Sequence, residues 1–156
     1  MYRIAYNGIV PINSLIAEAK MFIGLASADE DVTIEAMVEA AIGKAESLTN
    51  NLFRAQKVEI TTDAQELYLP GHIKADTLTV LDAKTLVPVT YEEIRNYVKH
   101  SSIQPVIVSY STEEWLPDEV KMYVLQAVGV MYERGVEKIT EVDISLLNRY
   151  KIIAIC

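Results

Sequence analysis

A chain of 156 residues with 51 % apolar and 23 % charged side chains is long enough for one domain with a sizeable core and too apolar to be disordered. Its formal net charge of -8, with no cluster of lysines and arginines, argues against sequence-independent binding to a phosphate backbone. The only cysteine, Cys156, excludes an intrachain disulfide, a cysteine-built zinc site and a redox pair.

The opening Met1-Tyr2-Arg3-Ile4-Ala5-Tyr6-Asn7 has no apolar core of signal-peptide length. No uninterrupted apolar run approaches the ~20 residues needed to span a bilayer, so the chain is expected in a cytosol or assembled in one, with no membrane partner. Ser14 is placed to cap a short helix whose Leu15, Ile16, Ala19, Phe22 and Ile23 fall on one face, with Gly24 ending it. Asp29-Glu30-Asp31 opens a longer helix, because carboxylates meet the positive end of the helix dipole there. Ile34, Met37, Val38, Ala41, Ala45 and Leu48 form its apolar stripe, Glu35, Glu39 and Glu46 face outward, and Thr49-Asn50-Asn51 stops it.

The period then changes from helix to strand. Val58, Ile60 and Thr62 alternate, as do Leu67 and Leu69 before Pro70-Gly71. Leu78 and Val80 lead into a hairpin turn at Asp82-Ala83-Lys84-Thr85, which Val87 and Val89 leave. A strand is expected around Tyr97, and Val106 to Tyr110 reads as a last β-branched strand. Pro117 suits the first turn of a third helix, whose Val120, Tyr123, Val124, Ala127, Val128 and Met131 recur at helical spacing. Gly135 is expected as its left-handed C-cap, followed by a second short helix closing on Leu146 to Tyr150.

The predicted class is therefore α+β: a mainly α-helical core built from the N- and C-terminal segments, with a small antiparallel β insertion in the middle. The expected organisation is one domain over 1–156, with a helical core at 12–52 and 115–150, a β insertion at 54–110 and an apolar tail at 151–156.

Candidate chemistry is sparse. His72 follows a turn, and His100 sits in a polar stretch beside Ser101 and Ser102. Both read as solvated loop residues, because neighbours on a strand point to opposite faces and a Ser101/His100 nucleophile–base pair is poorly placed. His72, Asp76 and Asp82 match no metal-ligand spacing, and Asp29-Glu30-Asp31 lacks the alternating ligands and glycine of a calcium loop. No phosphate-cradling glycine motif is present. Trp115 and the tyrosines lack the basic interleaving of a nucleic-acid stacking platform and read as core or subunit interface. No catalytic, cofactor or metal residue is expected.

With the elements placed, the chain resembles the head–tail connector (head-completion adaptor) proteins of tailed bacteriophages. The front half carries the resemblance across Leu15 to Thr49: Ala19-Lys20, Phe22-Ile23-Gly24-Leu25, the acidic turn, Ile34, Met37-Val38, Ala40-Ala41 and Glu46 with Thr49. The back half matches at Pro117, the stripe through Ala127, Tyr132-Glu133-Arg134, and Leu147 to Lys151. The family often continues Tyr-Glu-Asn-Arg where this chain has Tyr132-Glu133-Arg134-Gly135.

The resemblance implies a structural virion protein at the head–tail joint, assembled in a bacterial host cytoplasm. It implies a ring, typically dodecameric, that joins the portal protein to a stopper or tail-completion protein and extends the DNA channel. DNA would slide through a negative lumen without specific binding. Another joint protein, a stopper or tail terminator, is the nearest alternative. A small enzyme using His100 with a nearby carboxylate is a third reading.

The terminal Lys151-Ile152-Ile153-Ala154-Ile155-Cys156 is apolar on both faces if extended. It wants cover either from the chain's own sheet or from a partner by strand addition. The partner is the reading adopted, with Lys151, Ile152, Ile153 and Ile155 as the docking residues.

Overall fold

The computed structural model describes residues 2–153 and divides the chain into two compact units. One takes in residues 2–10, 52–115 and Ile153, the other 11–51 and 116–152.

The first unit is built from eight strands: β1 (Tyr2–Asn7), β2 (Lys57–Thr62), β3 (Glu66–Tyr68), β4 (His72–Ile73), β5 (Thr79–Asp82), β6 (Tyr91–Ile94), β7 (Tyr97–His100) and β8 (Val106–Glu113). They make two antiparallel sheets. One runs β1-β2-β8-β4, with β5 also on β8; the other runs β3-β7-β6. Strand β8 organises the larger sheet, because Val106, Val108, Tyr110 and Thr112 alternate inward along its whole length. Its register pairs Ile60 with Val108 and Val58 with Tyr110. Those residues join Leu52, Leu69, Val80 and Val98 in a core belonging to the sheets themselves.

That core overturns the predicted class. With eight strands in two sheets against five helices among the described residues, the protein is not a mainly helical core with a small β insertion. The strands that sequence reading missed are those with weak alternation. Strand β1 pairs with β2 (Ile4 opposite Ile60), yet interleaves arginine, alanine and asparagine with its apolar residues. Strand β6 carries Glu92 and Glu93, and β4 spans two residues. Their pairing comes from neighbouring strands, not from local propensity.

The expected hairpin forms. The Asp82 carboxylate accepts the Lys84 and Thr85 N–H groups at 2.9 and 2.8 Å, an Asx turn that holds its pKa below the ordinary value. The Val89 N–H donates to the Val80 carbonyl at 2.9 Å. Pro88 has no N–H to give, so the returning arm makes only an isolated bridge to Leu81.

The second unit is helical: α1 (Ser14–Ile23), α2 (Asp31–Thr49) and α3 (Asp118–Arg134), then 3-10 segments at Val136–Glu141 and Ser145–Tyr150. Ile34, Val38, Ala41 and Ala45 of α2 and Val120, Tyr123, Val124, Ala127, Val128 and Met131 of α3 are buried as their spacing predicts, with Ile42 added. On α1 only Leu15 and Ala19 are buried. Phe22 is half-exposed, its ring resting over Gly129 of α3, where an added Cβ would meet Phe22 Cε1 at 3.3 Å. Ser14 begins α1 but makes no capping bond. Gly135 has φ 108° and ψ 152°, a glycine conformation but not the left-handed helical cap expected.

Glu119 of α3 fastens the last 3-10 segment. It accepts the Tyr150 hydroxyl at 2.5 Å and Arg149 Nη1 at 3.3 Å, and the tyrosine bond, chiefly, lowers its pKa below 4.5. A carboxylate depressed in the folded state stabilises above its unfolded pKa, and that contribution is lost as pH falls through the folded value. Thermal unfolding of Glu119→Gln should therefore differ from the parent at neutral pH and converge with it in acid, once the carboxylate is protonated in the folded state as well. A difference that persists unchanged into acid would contradict the role given to this carboxylate.

Candidate functional site

Among the described residues, the two histidines and the serines beside His100 form no catalytic constellation. His72, on β4, is exposed, with Nδ1 4.0 Å from Glu113 Oε2 and its ring 6.3 Å from that of Trp115. His100 differs from its expected place in a solvated loop. It ends β7 at 4 % exposure, with Nε2 2.9 Å from the Ala64 carbonyl. The reason is strand alternation: His100 lies two residues from the buried Val98 on β7, so both face inward in the smaller sheet. The neighbouring Ser102 hydroxyl is committed to a turn with the N–H and carbonyl of Gln104.

Among the described residues, three buried side-chain polar atoms have no hydrogen-bond partner: Gln56 Nε2, His100 Nδ1 and Tyr123 Oη. Tyr123 belongs to the helical unit and the other two to the sheet unit. Burial pushes the Tyr123 hydroxyl pKa up. Among the described residues no three His, Cys, Asp or Glu side chains cluster as a metal would need, and no helix is long and apolar enough to cross a membrane.

The acidic turn holds helices together. Asp31 takes an ion pair from Lys20 of α1 at 2.5 Å, and Glu30 accepts the Tyr132 hydroxyl of α3. Arg134 reaches Glu141 at 3.6 Å, beside the Lys138–Glu141 pair at 2.8 Å, and so closes the first 3-10 segment.

The structure does offer apolar surface. At one end of the sheet unit the turn 82–87 and the loop 101–105 are joined by the Ala83 N–H, which donates to the Pro105 carbonyl at 2.9 Å. Together they carry Leu86, Val87 and Ile103, exposed at 61, 57 and 88 %. In the helical unit, Met21 and Phe22 of α1 are exposed at 75 and 50 %. Sequence reading missed both patches, because it assigned Phe22 to a buried stripe and Val87 to a strand.

Of the predicted docking residues, Ile152 is anchored. Its N–H donates to the Thr49 carbonyl at 2.8 Å, and Asn50 Nδ2 reaches its carbonyl at 3.5 Å. Lys151 is exposed and Ile153 is 84 % exposed, while Ile155 lies outside the described residues.

No protein-family model and no curated protein matches the chain. Solved structures do match its fold. A chain in the neck of an empty gene transfer agent (GTA) particle, computed with C6 symmetry, is similar at TM-score 0.72 and 16 % identity, covering 100 % of this chain and 97 % of that one. A chain in the virion of a native GTA particle is similar at TM-score 0.67 and 17 % identity, covering 97 % of each.

Proposed function

We propose that the protein is a structural component of the head–tail joint of a tailed phage or phage-like particle: a ring adaptor between the portal and the stopper or tail that extends the DNA channel. The observation that supports this reading is the likeness of fold, over the whole of this chain, to a chain of a GTA neck. The net charge of -8 suits a channel through which DNA passes without adhering. The exposed apolar patches suit a subunit that is covered in an assembly. The ring is dodecameric in this reading and uses no catalytic residue or cofactor. Its tail, Lys151, Ile152, Ile153 and Ile155, docks on a partner.

Deleting the gene from the element that encodes it tests the proposal. DNA-filled heads without attached tails are expected, restored by the gene supplied in trans. Normally tailed, infectious or transfer-competent particles would overturn it.

A further inference from the structure

We propose that Asn7 is a site of spontaneous deamidation, and that its conversion releases the end of β1. The reaction is intramolecular and consumes only water. The Gly8 amide nitrogen attacks Asn7 Cγ, a C–N bond forms, and the side-chain nitrogen leaves as ammonia. Water then opens the cyclic imide at either carbonyl, giving aspartate or isoaspartate. One water is taken up and one ammonia is released. Nothing in this chemistry depends on the ring.

The reactive pair is in the sequence. Of the six asparagines, Asn7 alone precedes a glycine. The attacking nitrogen therefore has no neighbouring side chain to shield it, and the glycine backbone is free to turn. The fold leaves room at this point. Gly8 has φ +63° with nothing within 4 Å of where a Cβ would stand, and residues 6–11 are all exposed. Closing the imide requires Asn7 to leave the extended conformation. It is the last residue of β1, an edge strand, and its pairing with Lys57 ends the ladder. Strand ends open more readily than strand centres, so the fold resists this opening less than any within the sheet. The next backbone anchor is the Val10 N–H, bonded to the Ala55 carbonyl at 2.9 Å, which sets Gly8 and Ile9 in a short link between ladder and anchor.

The other asparagines are held. Asn96 Nδ2 donates to the Leu69 and Gly71 carbonyls at 3.1 and 2.5 Å, Asn51 Nδ2 to that of Tyr150 at 3.3 Å, and Asn50 Nδ2 to that of Ile152 at 3.5 Å. Asn13 has helical φ and ψ ahead of Ser14, and Asn148 lies within a 3-10 segment ahead of Arg149. At position 7 the product adds a negative charge to a chain already at -8. In the isoaspartyl form the main chain runs through the former side-chain methylene. That extra backbone atom breaks the register opposite Lys57, and β1, paired on one side only, frays from that end.

Ageing the full chain in mildly alkaline buffer at physiological temperature is the test. Peptide mapping by mass spectrometry should find most of the deamidated product at Asn7, with isoaspartate exceeding aspartate. Isoelectric focusing should show a more acidic band growing beside the parent. Gly8→Ala should slow its growth, and Asn7→Gln, which keeps an amide but disfavours the ring closure, should abolish it. Hydrogen exchange of the aged protein should show protection lost along β1 and kept along β8. Conversion spread evenly over the asparagines, or an acidic band that persists in Asn7→Gln, would overturn the site. Conversion at Asn7 with β1 protection unchanged would overturn the release of the strand.

Discussion

Gly71→Ala should be among the most destabilising single substitutions in the sheet unit, lowering stability by roughly 2–6 kcal/mol. Two causes add. Gly71 has φ +92°, where an L side chain is strained by about 1–3 kcal/mol. An added Cβ would also lie 2.7 Å from Thr112 Cγ2 and 3.1 Å from Leu52 Cβ, and overpacking of this kind costs about 1–3 kcal/mol. Neither neighbour can easily yield. The Thr112 hydroxyl donates to the Arg54 carbonyl at 2.8 Å and accepts the Gln56 N–H at 3.1 Å. The glycine's own carbonyl is held by Asn96 Nδ2 at 2.5 Å, and the Pro70 carbonyl by the Tyr110 hydroxyl at 3.0 Å. For a chain of this size the melting temperature should fall by roughly 5–20 °C. Gly8→Ala is the matched control. Its φ is +63° with nothing within 4 Å, so it should cost about 1 kcal/mol. Equal losses at the two positions would show that the close approach at Gly71 contributes nothing.

The second large effect concerns assembly. Removing residues 153–156 while keeping Ile152, whose backbone is bonded to Thr49 and Asn50, should leave the melting temperature within about 2 °C of the parent. Attachment to the portal should be lost, because burial of Ile153 and Ile155 by a partner would contribute several kcal/mol, at about 1.5–3 kcal/mol for each side chain. Pull-down of purified portal by the truncated and full-length proteins, with calorimetry of each, checks this. A collapsed melting temperature would assign the tail to the protein's own core. Undiminished portal binding would remove it from the interface.

What the sequence revealed follows from how far each element depends on distant partners. The helices α2 and α3 were legible because their burial stripes repeat within the segment, from Ile34 to Ala45 and from Val120 to Met131. Strands β2 and β8 were legible for the same reason at period two. Strand β1 was not, since its place depends on β2, some fifty residues away, and β6 was masked by its glutamates. These omissions turned a two-sheet unit with its own core into a supposed small insertion. The exposed Leu86, Val87 and Ile103 escaped notice because an apolar residue in a chain suggests burial by default. Only the folded structure, in which Leu86 is 61 % exposed, shows that it faces outward.

Electron cryomicroscopy of the protein mixed with a portal protein from the same phage or particle tests the central proposal most directly. The expected result is a closed ring of added density, coaxial with the portal and continuous with its channel, into which both units of this fold can be docked. A portal with no added density at saturating protein, or density confined to the far end of the tail, would contradict it.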